Sequence, residues 1–519
     1  MRTDIILKKP IVPVAILACL GLLLTLNLTA IHGAGVSTDA VNYLAAADHL
    51  AAGEGFINFE GEPYVLWPPL YPALLAAPSA LFGLDPIPFA TGLNAIAFSA
   101  IIFVAGILAS RVLDSHWSLS TLAAAACLLS VGTFAVSVNI GSDPLFIVLL
   151  LSWLLLFEKY GRAYNRSSFA GMIALCGLAC LQRYIGATLI VTGAAGILYV
   201  RRSELRRGLA EASTFAGLSA LPLILWILRN YGVSGTFLGL RDPSTWRPDQ
   251  NLQDIAFKAS RWFVPYQVSS KPFFWLALVA AIALLIIYLR RRGTPLKSGP
   301  LRPITLVLIV FSVIYLLAVV VLTKSVDHMN IPYDDRLYLP AFFTLLLLGL
   351  LFVRQVLLPL FKGKAAPIWR SALIGVSFLW LVFPANGTYK FWLRSLDTGG
   401  IAYYNIYNTP AYRDSAITKH LAPWATDPAT PVFSNYPAAV YLTTRRIVRS
   451  LPSRTDFYGA SIPLDAFVGV WPGTPSSVLV WYEPNTKRDL YSLTALAELA
   501  FLRPEFVSDD GAIYQIQTR

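Results

Sequence analysis

Charge is scarce in this chain: Asp, Glu, Lys and Arg together make up 13% of its 519 residues, against roughly 25% in a typical soluble domain. Hydrophobic residues reach 56%. A chain so composed cannot cover a water-facing surface, which excludes the two or three soluble domains its length would otherwise allow. Lipid must solvate most of it. Cysteine is rare as well, and that excludes a disulfide-stapled fold. All four cysteines (Cys19, Cys127, Cys176 and Cys180) lie in apolar segments. Cys176 and Cys180 share a helix face, but no His or further Cys joins them, so they read as small buried hydrophobes rather than metal ligands. A Gly-rich nucleotide loop is also missing, which argues against a nucleotide ligand.

The charge that is present follows a pattern. The net formal charge is +12, yet residues 390–519 are nearly neutral, with 12 Lys/Arg against 11 Asp/Glu. The excess therefore sits among the apolar runs, in short clusters. Clusters of this kind encode membrane topology, whereas a nucleic-acid surface gathers its cations into a patch. No nucleic-acid partner is expected.

Eleven apolar runs are candidate spans, near 11–31, 87–110, 118–139, 144–158, 167–182, 184–200, 208–229, 273–289, 303–323, 338–353 and 371–386. About 20 apolar residues cross the ~30 Å hydrocarbon layer. The first run exceeds the ~7–15 residues of a cleaved signal core, so it reads as a retained span with its N-terminus in the cytoplasm. Alternating sides from there puts 20 basic and five acidic residues inside, against nine basic and thirteen acidic outside before residue 390. That asymmetry is the positive-inside rule. The runs at 144–158 and 167–182 are short, which suggests tilt or mutual shielding. The stretch 66–84 is apolar but holds four prolines, each lacking an N–H, so an interfacial or re-entrant segment is expected.

Beyond Phe383 the chain turns polar. A helix is expected from Thr409-Pro410 to His420, a strand over Pro431–Tyr436 and a short helix over Pro437–Thr443. A second strand is expected over Ser477–Glu483 and a helix over Leu490–Phe501. The end, FVSDDGAIYQIQ, reads as a hairpin turning at Asp509-Asp510-Gly511. The expected fold is thus a polytopic α-helical membrane protein of about eleven transmembrane helices (residues 1–389), followed by a small extracytoplasmic α/β domain (390–519).

The first external loop, 32–86, contains STDAVNYLAAADHLAAGEGFINFEGEPYVLWPPLYP. Helix propensity runs from Ala40 to Ala52, with Tyr43, Ala47 and Leu50 on one face. Ser37 or Thr38 would cap it and leave Asp39 in the first turn, where the helix dipole favours a carboxylate. Asp39 is then either a general base at the membrane surface or itself only a cap. Other polar groups sit at span ends. Asp143 precedes Pro144 and is either a site residue or an ordinary helix start. Arg183, in Gln182-Arg183-Tyr184, either contacts phosphate or snorkels. Lys324, His328 and Tyr333-Asp334-Asp335-Arg336-Leu337-Tyr338-Leu339-Pro340 form a third cluster, in which Arg336 either binds phosphate or pairs with its neighbouring aspartates. A divalent metal on Asp334, Asp335 and His328 is the weakest option, and none is expected. Phe237, Trp246, Trp262 and Phe263 suit either sugar stacking or an interfacial belt.

Asp39, Tyr43, Ala47, Leu50, Gly53-x-Gly55 and Pro68-Pro69-Leu70-Tyr71-Pro72 resemble the first external loop of the GT-C membrane glycosyltransferases. The likeness is to the branch holding the protein O-mannosyltransferases and the lipid A aminoarabinose transferases. It covers about residues 10–390 and is motif-like only in this loop. The resemblance implies two membrane-surface helices, with Asp39 as catalytic base. It also implies a polyprenyl-phosphate sugar donor whose tail lies among membrane lipids, and an acceptor that is protein, lipid or glycan. Arg183, Arg336 or Lys324 would neutralise the departing phosphate, with Tyr338 on phosphate or sugar. Tyr43, Asp143 and Tyr184 would contact substrate, Asp143 standing where relatives often carry a second acidic residue. A single displacement implies inversion. Two departures stand out: Leu337 interrupts the Arg-Tyr-Leu-x-Pro element of relatives, and Trp67 replaces a basic residue or His before the Pro-Pro pair. A secondary transporter is the rival, but it predicts internal repeats and mid-membrane ionisable residues, and the chain carries neither. A non-catalytic scaffold or receptor is the third reading.

Overall fold

Among the described residues, seven helices are long and apolar enough to cross a membrane. They are α1 (Thr3–His32), α4 (Pro86–Val112), α7 (Asp143–Arg162), α10 (Leu205–Ser234), α11 (Pro303–Thr323), α12 (Leu339–Phe352, continuing through a π turn to Leu360) and the pair α13 (Ala366–Leu379) and α14 (Val382–Asp397). The computed structural model describes residues 3–114, 116–240, 257, 259–264, 279, 301–323, 336–361, 363–401, 406–422, 430–456, 460–485, 487 and 489–518. The run at 273–289 falls outside these residues apart from Val279, as do Trp246, Lys324, His328, Tyr333, Asp334 and Asp335.

The run at 118–139 is broken into α5 (Trp117–Leu128) and α6 (Val131–Val138), bent by 51°. Ser130 restarts the helix by accepting from Thr133 N. The runs at 167–182 and 184–200 are α8 (Arg166–Gln182) and α9 (Ala187–Val200), both shorter than a full span. The run at 144–158 is longer than expected because Glu158, buried near the end of α7, is neutralised by Arg162 one turn on and faces Arg111 at 3.9 Å. Arg302 holds Asp114 with two bonds of 2.9 Å, so the clusters at 111, 162 and 302 gather at one end of the bundle. Asp143 opens α7 at the other end.

Two helices of the first loop are not spans. α2 is Thr38–Ala51, and α3 is Leu70–Phe82. At about 1.5 Å per residue, α3 reaches roughly 20 Å, too short for the hydrocarbon layer. It packs on α2.

The C-terminal sheet has the order β2-β1-β3-β5-β4, from β1 (Val432–Ser434), β2 (Val448–Ser450), β3 (Ser476–Tyr482), β4 (Ala500–Ser508) and β5 (Gly511–Thr518). β1 runs parallel to β2 and β3, and the other pairings are antiparallel. The expected helix at 409–420 is two short turns, because Ser415 caps a new start at Ala416. The helix expected at 490–501 is Leu493–Leu499, since from Ala500 the backbone pairs with β5. The last membrane helix runs on to Asp397, past the expected boundary at 389. One apolar core joins this domain to the first loop: Ala40, Leu44, Phe59 and Tyr71 pack in the same cluster as Tyr441, Val448, Val480 and Ile513.

The link between α1 and α2 is held on two sides. Gly35 N donates to Val138 O and Gly35 O accepts from Ile140 N, a short parallel bridge. On the other side, the N–H groups of Ile406 and Tyr407 both reach Val36 O. A β-carbon at Gly35 would lie 1.8 Å from Asn139 Oδ1. Gly35→Ala is therefore expected to destabilise the protein by about 1–3 kcal/mol, read as a lower thermal midpoint in detergent. An unchanged midpoint would show that the link tolerates being prised off the 138–140 segment.

Candidate active site

Ser37, not Asp39, caps α2: its Oγ accepts from Ala40 N at 3.3 Å. Asp39 is thereby free to turn away from the helix end. Its Oδ2 lies 2.9 Å from Arg336 Nη1, both side chains being about three-quarters buried. Tyr43, four residues on, shares that helix face. Its ring is buried against Tyr71 and Trp67, and its hydroxyl meets Ser142 Oγ at 3.2 Å. Burial raises the Tyr43 phenol well above its usual range, and the nearby Asp39 charge adds to this. Tyr43 therefore stays protonated and can donate a hydrogen bond.

Asp143 is 7% exposed at the first position of α7. Its turn is set by Asn94, a fully buried residue of α4. Asn94 Nδ2 donates to Asn139 O at 2.6 Å and Gly141 O at 3.3 Å, and Asn94 Oδ1 accepts from Tyr71 OH. Asp143 Oδ1 pairs with Arg183 Nη1, while Oδ2 stands 4.0 Å from Arg336 Nε. Arg183 lies in extended backbone between α8 and the turn Tyr184–Gly186, which aims its side chain inward. It does not snorkel. Gln182 Nε2 supports the same turn through Ser142 O at 2.9 Å. The charges therefore alternate in space as Asp39, Arg336, Asp143, Arg183. Such alternation lets each partly buried ion keep a partner of opposite sign.

Not every expected residue joins this group. The Tyr184 hydroxyl donates to Val65 O at 2.8 Å and accepts from Trp226 Nε1 and Asn230 Nδ2. It holds the first loop against α10. Tyr338 is buried just ahead of α12, where Tyr315 OH fixes Leu337 O at 2.9 Å. Lys324 lies outside the described residues, so its place relative to the four charges is not part of this geometry. Among the described residues no group of three or more His, Cys, Asp or Glu is arranged to hold a metal ion. Trp67 presents a half-buried indole against Tyr43 and Tyr64. Sequence reasoning missed Asn94, Ser142 and Arg229. Arg229 lies over the Trp226 ring and donates to Tyr64 O and Phe56 O. An Asn inside an apolar span and an Arg near a span end are the signals that would have flagged Asn94 and Arg229.

No protein-family model matches the chain, and no curated protein matches its sequence. Solved structures do match. ArnT from Cupriavidus metallidurans, in its apo state and bound to undecaprenyl phosphate, aligns at a TM-score of 0.59 and 13% identity. Each alignment covers 96% of this chain and 97% of that one. The Archaeoglobus fulgidus oligosaccharyltransferase in its apo form aligns at 0.49 and 11% identity, over 84% of this chain and 64% of that one. The near end-to-end agreement with ArnT is an agreement of architecture. This chain shares the fold of ArnT, a polytopic α-helical membrane bundle with a small C-terminal α/β unit.

Proposed function

We propose that this protein is a membrane glycosyltransferase that moves a sugar from a polyprenyl-phosphate donor to an acceptor hydroxyl on the extracytoplasmic face. The observation that carries the reading is the Asp39–Arg336 pair, set beside Asp143–Arg183 in one cluster at the end of the bundle away from the basic clusters. A carboxylate can take the acceptor's proton, and guanidiniums within reach of it can neutralise a departing phosphate. That ArnT, of the same fold, has been solved with undecaprenyl phosphate supports a lipid-phosphate ligand.

In this reading Arg336 and Arg183 grip the donor phosphate, since guanidinium and phosphate form strong charge-assisted bonds. The acceptor oxygen attacks the anomeric carbon from the side opposite the phosphate. The new C–O bond forms as the bond from sugar to phosphate oxygen breaks, and the electron pair stays on that oxygen. Arg336 and Arg183 neutralise it, and Asp39 takes the proton from the acceptor. One displacement inverts the anomeric centre. Tyr43, protonated and bonded to Ser142, orients substrate in this reading. Charge asymmetry supports the N-terminus inside and the C-terminal domain, residues 390–519, outside.

Asp39→Asn keeps the shape and removes the base, so transfer from a polyprenyl-phosphate sugar is expected to fall by about 10²–10⁴-fold in a protein that still expresses and folds, Arg336 keeping Asp143 as its partner. Transfer at the wild-type rate would refute the base assignment. Undecaprenyl phosphate in excess should also stabilise the wild-type protein, by about 2.7 kcal/mol at a hundred times its Kd. In Arg336→Ala that thermal shift should shrink or vanish. A shift of full size would remove Arg336 from the phosphate site.

A further inference from the structure

The helix Pro437–Thr444 of the C-terminal domain ends at Arg445, whose backbone is left-handed, with φ 55° and ψ 25°. A β-carbon in that conformation costs about 1–2 kcal/mol, and glycine is the usual residue at such helix ends. The chain keeps an arginine there, and the guanidinium has a specific use. Its Nη1 lies 3.0 Å from Asp48 Oδ2, and its Nη2 lies 3.5 Å from Asp85 Oδ1. Tyr441, one turn earlier, donates to the same Asp48 oxygen at 3.1 Å.

The two aspartates lie on the two elements that set the active-site carboxylates. Asp48 is on α2, nine residues after Asp39, which is about half a turn round the helix axis. One side of α2 thus carries Asp39 towards Arg336, and the other is held by the C-terminal domain. Asp85 caps α4 by accepting from Ile87 N at 2.8 Å. That helix carries Asn94, which fixes the turn ahead of Asp143.

We infer that Arg445 is a positioning residue: from the C-terminal domain it clamps α2 to the start of α4, and so fixes Asp39 relative to Asp143. The inference rests on the glycosyl transfer proposed above and gives the C-terminal domain a part in it. Arg445 and Asp48 are 30% and 27% exposed and Asp85 56%; the exposed Asp85 pair contributes little to global stability, and in Arg445→Gly relief of the left-handed backbone offsets loss of the Asp48 pair. The effect of the two ion pairs is geometric. A displacement of about 1 Å in a reacting group can cost on the order of 10²-fold in rate.

Arg445→Gly tests this cleanly, because it relieves the backbone and removes only the clamp. In the full-length protein, Arg445→Gly should leave the thermal midpoint unchanged or raised. Backbone amides of residues 38–43 should exchange with deuterium faster than in wild type. With a polyprenyl-phosphate sugar that wild type consumes, kcat should fall by about tenfold or more while the donor KM stays within about twofold. Arg445→Lys, which restores a cation, should recover most of the kcat. Wild-type exchange across 38–43 would overturn the clamp, and so would full kcat despite faster exchange. A lowered midpoint with no recovery in Arg445→Lys would reduce Arg445 to a structural role and overturn it too. Undiminished transfer by Asp39→Asn, measured alongside, would instead sink the catalytic reading. The exchange data would then still decide whether Arg445 holds α2.

Discussion

Everything proposed for this protein depends on one electrostatic arrangement: two carboxylates and two guanidiniums alternating in space where α2, α7, the α8–α9 junction and the start of α12 meet. Asp143, at 7% exposure, is the most deeply buried member. A buried carboxylate persists as an ion only if cations and hydrogen-bond donors replace the water it has lost. Here Arg183 and Arg336 supply the cations, and the turn that presents Asp143 is held from below by Asn94 and Tyr71. The same guanidiniums that neutralise the carboxylates suit a phosphate. A site whose charges balance internally can trade a carboxylate for a phosphate without leaving a bare charge in a low-dielectric setting.

The scaffold around these charges makes their geometry over-determined. The link from α1 to α2 is bonded to the 138–140 segment on one side and to residues 406–408 on the other. The C-terminal domain shares an apolar core with the first loop. It is therefore built into the site's support, and α2 lies between bundle and domain as a shared layer.

Much of this was legible in the sequence, for identifiable reasons. Ten of the eleven apolar runs are helical among the described residues, because hydropathy is a local property and needs no knowledge of contacts. The Pro-rich stretch at 66–84 was correctly denied a span, since proline removes backbone donors wherever it stands. Asp39, Asp143, Arg183 and Arg336 could each be flagged as polar groups at span ends, but their convergence is a long-range fact that no local pattern carries. Ser142 went unnoticed because a lone Ser reads as unremarkable until its partners are known, whereas Asn94, a polar residue inside an apolar span, carried a local signal that was passed over. In the C-terminal domain, β2 has three residues, too few for an alternating pattern. The helix at Leu493–Leu499 gives way to β4 without a turn signal, because pairing with β5 overrides propensity at Ala500.

The most direct test of the central claim is an experimental structure of the full-length protein with a polyprenyl phosphate bound. The account predicts the phosphate within hydrogen-bond distance of the Arg336 and Arg183 guanidiniums, with the Asp39 carboxylate released from Arg336 and open towards the sugar-facing side. A phosphate seated elsewhere, with the Asp39–Arg336 pair still closed, would contradict it.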